Sequence, residues 1–168
     1  MVEMLIEQRE FGQMASLAAS RNGLSGLVDA VHAEWGIALP LTPRRVAAGE
    51  IAFIWAGPER WMVTSNGTDD LENLLTAKLG RWAAVTDQSD SRSVWRVQGA
   101  RARDSLAKLL PIDLHPRTFR TGDTALTVAA HVNLQIWQID DLPCYEIALF
   151  RSYAAYFHHA LTAAAAAE

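Results

Sequence analysis

The hydrophobic period of this chain switches repeatedly between that of a helix and that of short paired strands. That alternation constrains the fold more than any single motif. Leu24, Leu27, Val28, Val31 and Trp35 stand at i, i+3, i+4, i+7 and i+11, one apolar face of an amphipathic helix. Asn22-Gly23 opens that helix and Gly36 closes it. Pro40 and Pro43 favour extended chain from Leu39 to Arg45. Ile51 to Ala56 reads as a buried strand, Gly57-Pro58-Glu59-Arg60 as a turn, and Trp61 to Ser65 as the returning strand. Thr68 is the expected cap of a second helix, with Asp69 and Asp70 in its first turn. Leu71, Leu74, Leu75 and Leu79 form its stripe, and Ala83 to Thr86 is a further strand.

The theme returns in the second half. A strand at 93–98 is broken by Gly99 and followed by a helix at 100–110, which Pro111 ends. Three strand runs come next, Thr124 to Ala130, Leu134 to Ile139 and Cys144 to Phe150. In the last, Tyr145, Ile147 and Leu149 alternate with Cys144, Glu146 and Ala148, the pattern of a half-buried strand. Ser152 caps a final helix whose face is Tyr153, Tyr156, Phe157, Ala160 and Leu161. Residues 1–22 carry weak signals and read as a short strand or helix forming a docking arm. Helices here alternate with hairpins rather than with single strands. The fold class is therefore α+β, two packed ferredoxin-like βαββ-type units with mainly antiparallel sheets. The chain reads as one domain over residues 1–168, with lobes of about 1–88 and 89–168.

Composition bounds the function. The 168 residues are 50% hydrophobic and include six Trp, enough for a sizeable core. The net charge of −4 is spread without a basic run, which argues against nucleic acid or a membrane surface as partner. The single cysteine, Cys144, allows no internal disulfide and suits a reducing compartment. No signal peptide or membrane span is legible, so a soluble, cytoplasmic chain is expected.

Few residues converge on chemistry. Neither a dinucleotide-binding nor a nucleotide-triphosphate glycine loop is present. His158 and His159 are adjacent on a helix, so their side chains diverge by about 100° and cannot share a metal as an i, i+4 pair. His32, His115 and His131 have no neighbour at ligand spacing, so no metal site is expected. Asp140-Asp141-Leu142-Pro143 is an ordinary turn sequence. Cys144, among apolar neighbours, reads as a small buried side chain. No catalytic or cofactor-binding residue is assigned. Tryptophan and arginine are enriched at interface hot spots. Trp55, Trp61, Arg92, His115 and Arg117 are therefore the candidate partner-interface positions.

Four segments carry a resemblance: LPLTPRR (39–45), FIWAGPERWMV (53–63), DQSDSRSVWRVQGARARDSLAKLLPIDLHPRTF (87–119) and CYEIALFRSYAAYFHHAL (144–161). The Trp55-x-Gly-Pro-x-x-Trp61 hairpin and the IDLHPR segment, in this order, resemble the gamma subunits of heterotetrameric sarcosine oxidase. That family is itself similar to the folate-binding domain of glycine-cleavage T-protein enzymes. The resemblance implies a place in a four-subunit complex that oxidatively demethylates sarcosine to glycine. The complex would release hydrogen peroxide, and 5,10-methylenetetrahydrofolate or formaldehyde. It implies alpha, beta and delta subunits as partners, with FAD, FMN, NAD and tetrahydrofolate held by those partners and none by this chain. The T-protein pattern carries its catalytic aspartate in a hairpin of the form G-G-x-x-D-D-L. The matching stretch here, AAHVNL from Ala129 to Leu134, has neither the glycines nor the acid. A non-catalytic assembly subunit is therefore expected, one that self-associates through exposed apolar surface when isolated. The alternative is a stand-alone folate-binding regulatory module.

Overall fold

The structure is a computed structural model that describes residues 4–10 and 12–166. Its elements are β1 (Leu5–Arg9), β2 (Gln13–Ala19), α1 (Leu24–Trp35), β3 (Arg45–Ala48), β4 (Ile51–Trp55), β5 (Arg60–Ser65), α2 (Leu71–Leu79), β6 (Ala83–Asp87), β7 (Arg92–Gln98), α3 (Ala102–Ala107), β8 (Thr124–Ala129), β9 (Val132–Asp140), β10 (Cys144–Phe150) and α4 (Ala154–Ala166). They form two compact units. One is Phe11–Asp90; the other is Ser91–Glu168 joined by Met1–Glu10.

In the first unit the sheet order is β3-β4-β5-β2-β6, and every neighbouring pair is antiparallel. Setting aside the edge strand β3, this is a β-α-β-β-α-β arrangement with its first and third strands central. Leu17, Phe53, Trp61 and Val63 face Leu27 and Val31 of α1 and Leu71, Leu75 and Leu79 of α2 in one buried cluster. The sequence builds this locally. Gly36 ends α1 in the left-handed region at φ 67°, where a Cβ would be penalised, and donates its N–H to the His32 carbonyl. Asp70 caps α2 by accepting from the Asn73 N–H.

The second unit has the sheet order β1-β7-β10-β9-β8, again wholly antiparallel. Its elements run β7-α3-β8-β9-β10-α4, matching β2-α1-β3-β4-β5-α2 one for one. The strand that β6 supplies to the first unit is supplied here by β1, which pairs Leu5 with Gln98 and Arg9 with Val94. The core joins Val97, Ile136, Tyr145, Ile147 and Leu149 to Ala102 and Leu106 of α3 and Phe157 and Leu161 of α4. Leu114 and Phe119 anchor the intervening loop in the same cluster.

The ferredoxin-like α+β expectation holds, with four expectations corrected inside it. Over residues 1–22 the strand alternative is the one present, as β1 and β2 among the described residues, one in each sheet. The lobe boundary near residue 88 becomes 90/91, and residues 4–10 belong with the second lobe because β1 pairs with β7. Asp70, not Thr68, caps α2; the Thr68 hydroxyl accepts from the Asp70 N–H one step earlier. β10 is buried at six consecutive positions rather than at alternate ones, because both of its faces are shielded from water. Finally, α4 buries Phe157, Leu161 and Ala164, a stripe at i, i+4 and i+7, and leaves Tyr153 and Tyr156 outside.

Candidate partner interface

The five candidate interface residues separate into three environments. Trp61 is 1% exposed, and its Nε1 donates to the Pro40 carbonyl at 2.7 Å. Its ring is core, which corrects its assignment to an interface: no indole surface remains for a partner. Trp55, its cross-strand neighbour across the Gly57-Pro58 turn, is half-buried against the same core. His115 and Arg117 sit in an exposed loop held by its own hydrogen bonds. The His115 N–H donates to Asp113 Oδ1 at 2.8 Å, the Thr118 hydroxyl to Asp113 Oδ2 at 2.9 Å, and the Arg117 N–H to His115 Nδ1 at 3.2 Å. These bonds hold the Asp113 carboxyl below the usual carboxylate range.

Arg92 stands directly opposite Phe150 across β7 and β10. Its guanidinium carbon lies 3.8 Å from the Phe150 ring centroid, a close cation–π contact. Burial lowers the Arg92 pKa. Three residues beyond Phe150 is Tyr153, and three further is Tyr156. These aromatics are 46%, 50% and 52% exposed. Arg151, between them, donates its N–H to the Ser91 carbonyl and its Nη2 to the Arg92 carbonyl. One end of the sheet, where β10 runs into α4, thus carries three exposed aromatics with two arginines. The sequence pattern concealed this, because the tyrosines fit the spacing of an apolar helix face. A signal was available: three large aromatics and one arginine within the seven residues 150–156.

Glu146 and its partners in the second unit are committed to structure. Glu146, 2% exposed, faces Arg96 across β7 and Trp137 across β9. Arg96 donates to its Oε1 from Nη2 at 2.6 Å and from Nε at 3.2 Å. The Trp137 indole N–H donates to Oε2 at 2.9 Å, and Arg9 Nε lies 3.6 Å from Oε1. Burial alone would lower the Arg96 pKa; the hydrogen bond and charge of Glu146 outweigh it and raise it. Burial pushes the Cys144 thiol up, which disfavours the nucleophilic thiolate. Asp140 and Asp141 lie at the β9–β10 turn, where Asp141 accepts from the Thr121 hydroxyl at 2.8 Å.

The AAHVNL stretch is a tight hairpin in which Ala129 pairs with Val132. Ala130 and His131 occupy its turn at φ 47° and 66°, conformations that glycine adopts without penalty. A cavity of about 340 Å³ is lined by Arg103, Pro116, Arg120, Thr121 and Asp141. Another, of about 370 Å³, is lined by residues including Gln98, Gly99, Leu142 and Cys144. Among the described residues no group of three or more His, Cys, Asp or Glu is placed to hold a metal ion. Among them, too, no helix is long and apolar enough to cross a membrane.

Comparison with known proteins fits this frame. Sarcosine oxidase subunit gamma of Corynebacterium sp. (strain U-96) is 32% identical over 113 residues, 65% of this chain and 55% of that protein. The same subunit of Arthrobacter sp is 32% identical over 119 residues, 69% of this chain and 59% of that one. The matched part thus spans less than two thirds of these relatives. A chain of the heterotetrameric sarcosine oxidase from Corynebacterium sp. U-96, solved in complex with pyrrole 2-carboxylate, superposes with a TM-score of 0.82 at 27% identity. That match covers 98% of this chain and 87% of that one. The glycine cleavage system aminomethyltransferase T from Bartonella henselae superposes with a TM-score of 0.65 at 13% identity, over 95% of this chain and 45% of its own. It shows a shared fold. The model of the sarcosine oxidase gamma subunit family matches residues 22–168. The chain belongs to the sarcosine oxidase gamma subunit family.

Proposed function

We propose that this chain is a non-catalytic, assembly-type gamma subunit of a heterotetrameric sarcosine oxidase. The observation that carries the reading is the correspondence of 98% of this chain with 87% of a chain from such an enzyme. The polar groups support the structural role. Glu146 is held by Arg96 and Trp137, with Arg9 nearby, and Asp141 by a turn hydroxyl, while the Cys144 thiol is buried.

In this reading the alpha, beta and delta subunits are the partners, and they carry FAD, FMN, NAD and tetrahydrofolate. The complex converts sarcosine, oxygen and water to glycine, formaldehyde and hydrogen peroxide. With tetrahydrofolate present, the one-carbon unit leaves as 5,10-methylenetetrahydrofolate and no water is consumed. Two electrons pass from the N-methyl carbon to oxygen in either case.

The test is co-expression with and without the other three subunits. The chain is expected to co-purify with them and, alone, to consume no oxygen with sarcosine. Oxygen consumption by the isolated chain, or its absence from the purified complex, overturns the reading. Saturable quenching of its tryptophan emission by tetrahydrofolate would instead favour the folate-binding module.

A further inference from the structure

We infer that the β10–α4 junction, formed by Phe150, Tyr153 and Tyr156 with Arg92 and Arg151, docks another polypeptide of the oxidase. That polypeptide presents an apolar recess rimmed by carboxylates. The inference rests on the subunit reading above and adds the surface and the chemistry of its partner.

Three observations carry it. First, aromatic side chains bury roughly 150–250 Å² each when covered. Half-exposed, these three leave an aromatic surface on the order of 300 Å² within seven residues, the scale of a functional patch. Second, the residue types are those of hot spots. Tyrosine and arginine dominate interface energetics, whereas isolated exposed leucines such as Leu41 and Leu142 need no explanation. Third, two arginines, Arg92 and Arg151, stand at this patch in a chain whose net charge is −4. A carboxylate-rimmed recess is complementary to it, while a second copy of this acidic chain would bring a matching pair of arginines against the first.

Arg92 is also preset for docking. The cross-strand register and the Phe150 ring fix its guanidinium before a partner arrives, which cuts the ordering cost of association. The 3₁₀ turn Arg151–Tyr153 leads directly into α4, whose stripe of Phe157, Leu161 and Ala164 locks that helix to the core. The tyrosines are therefore presented from a rigid element.

The test uses the four co-expressed subunits. The triple variant Phe150→Ser, Tyr153→Ser, Tyr156→Ser and the single variant Arg151→Glu are compared with Leu126→Ser, Val128→Ser, which removes an exposed apolar pair on β8. The triple variant and Arg151→Glu are expected to weaken incorporation by about tenfold or more. Their far-ultraviolet circular dichroism should be unchanged, and the β8 variant should assemble normally. If the wild type assembles and the triple variant and Arg151→Glu assemble equally well, this surface is refuted while the subunit reading stands. Loss of assembly with the β8 variant alone moves the interface to β8 and refutes the proposal. A wild-type chain that never joins the complex overturns both. An isolated chain that is dimeric through this patch, with assembly unaffected by the triple variant, assigns it to self-association and overturns the proposal. If the triple variant misfolds, Tyr156→Ser and Arg151→Glu each decide the matter by the same readout.

Discussion

Removing the Glu146 carboxylate should cost more than any other single polar change in the second unit. Glu7, Arg96, Glu146 and Trp137 stand opposite one another in sequence across β1, β7, β10 and β9. Within this row, the Glu146 side chain, 3% exposed, is the hub. Glu146→Ala leaves the Arg96 guanidinium and the Trp137 indole N–H without their acceptor. Breaking a buried ion pair from one side typically costs about 3–5 kcal/mol. The Arg96 side chain is 23% exposed and can recover some water, which puts the expected loss near the lower end, about 3 kcal/mol. Glu146→Gln keeps an acceptor for Trp137 but loses the charge-assisted bonds, for an expected loss of about 1.5–3 kcal/mol. In a double-mutant cycle with Arg96→Met, the two changes should not add. Once the acid is gone, losing its partner costs little, so a coupling of about 1.5 kcal/mol or more is expected. Equilibrium urea unfolding, followed by tryptophan emission and by circular dichroism, gives these values. A loss under about 1 kcal/mol for Glu146→Ala, or coupling near zero, would refute the hub argument.

Two further outcomes follow from local geometry. Replacing Ala130-His131 by Asn-Gly suits the two positive φ angles of that hairpin and should stabilise the protein by about 1–2 kcal/mol, read as a higher Tm; an unchanged or lower Tm contradicts the strain assignment. Asp87 and Asp113 are both held below their ordinary value of 3.8 by hydrogen bonds, Asp87 from the Ser89 hydroxyl and N–H, Asp113 from the His115 N–H and the Thr118 hydroxyl. A depressed carboxyl pKa contributes stability that is present above the unfolded value and lost as pH falls through the folded one. Stability should therefore decline below about pH 4, and the decline should be shallower in Asp87→Asn and Asp113→Asn variants; an identical slope removes these bonds as its source.

The elements that the sequence made legible are those whose signal is local. α1 runs from Leu24 to Trp35 because its apolar period is clean and glycines bracket it. The β4–β5 hairpin follows from two apolar runs around a glycine-proline turn. The failures are non-local. Nothing in LIEQR or QMASLAA says that these short strands enter different sheets, since that depends on pairing with residues about ninety and about fifty or seventy positions away. The alternation expected in β10 presumed one wet face, and Glu146 looked like a surface residue because its cations lie on other strands. Of the five interface candidates, residue type singles out Trp61 and Arg92 alike; the Pro40 carbonyl fixes the Trp61 ring inside, while the fold sets Arg92 against Phe150, and neither outcome is written in the local sequence. Tyr153 and Tyr156 fit the spacing of an apolar helix face, but only Phe157, Leu161 and Ala164 use that spacing for burial.

The placement of β1 in the second sheet also sets an order of events during synthesis. Leu5 must meet Gln98, so β1 leaves the ribosome ahead of the whole Phe11–Asp90 unit and finds its neighbour only after that unit has been made. At about 5–20 residues per second, that wait lasts several seconds. Through it, the sheet edge that β1 offers to β7 is unclaimed and open to pairing with other chains. Glu7 and Arg9, alternate residues on this strand, keep it charged until Arg96 and Glu146 arrive to neutralise it. A strand that waits longest for its partner thus carries its own protection against the wrong one.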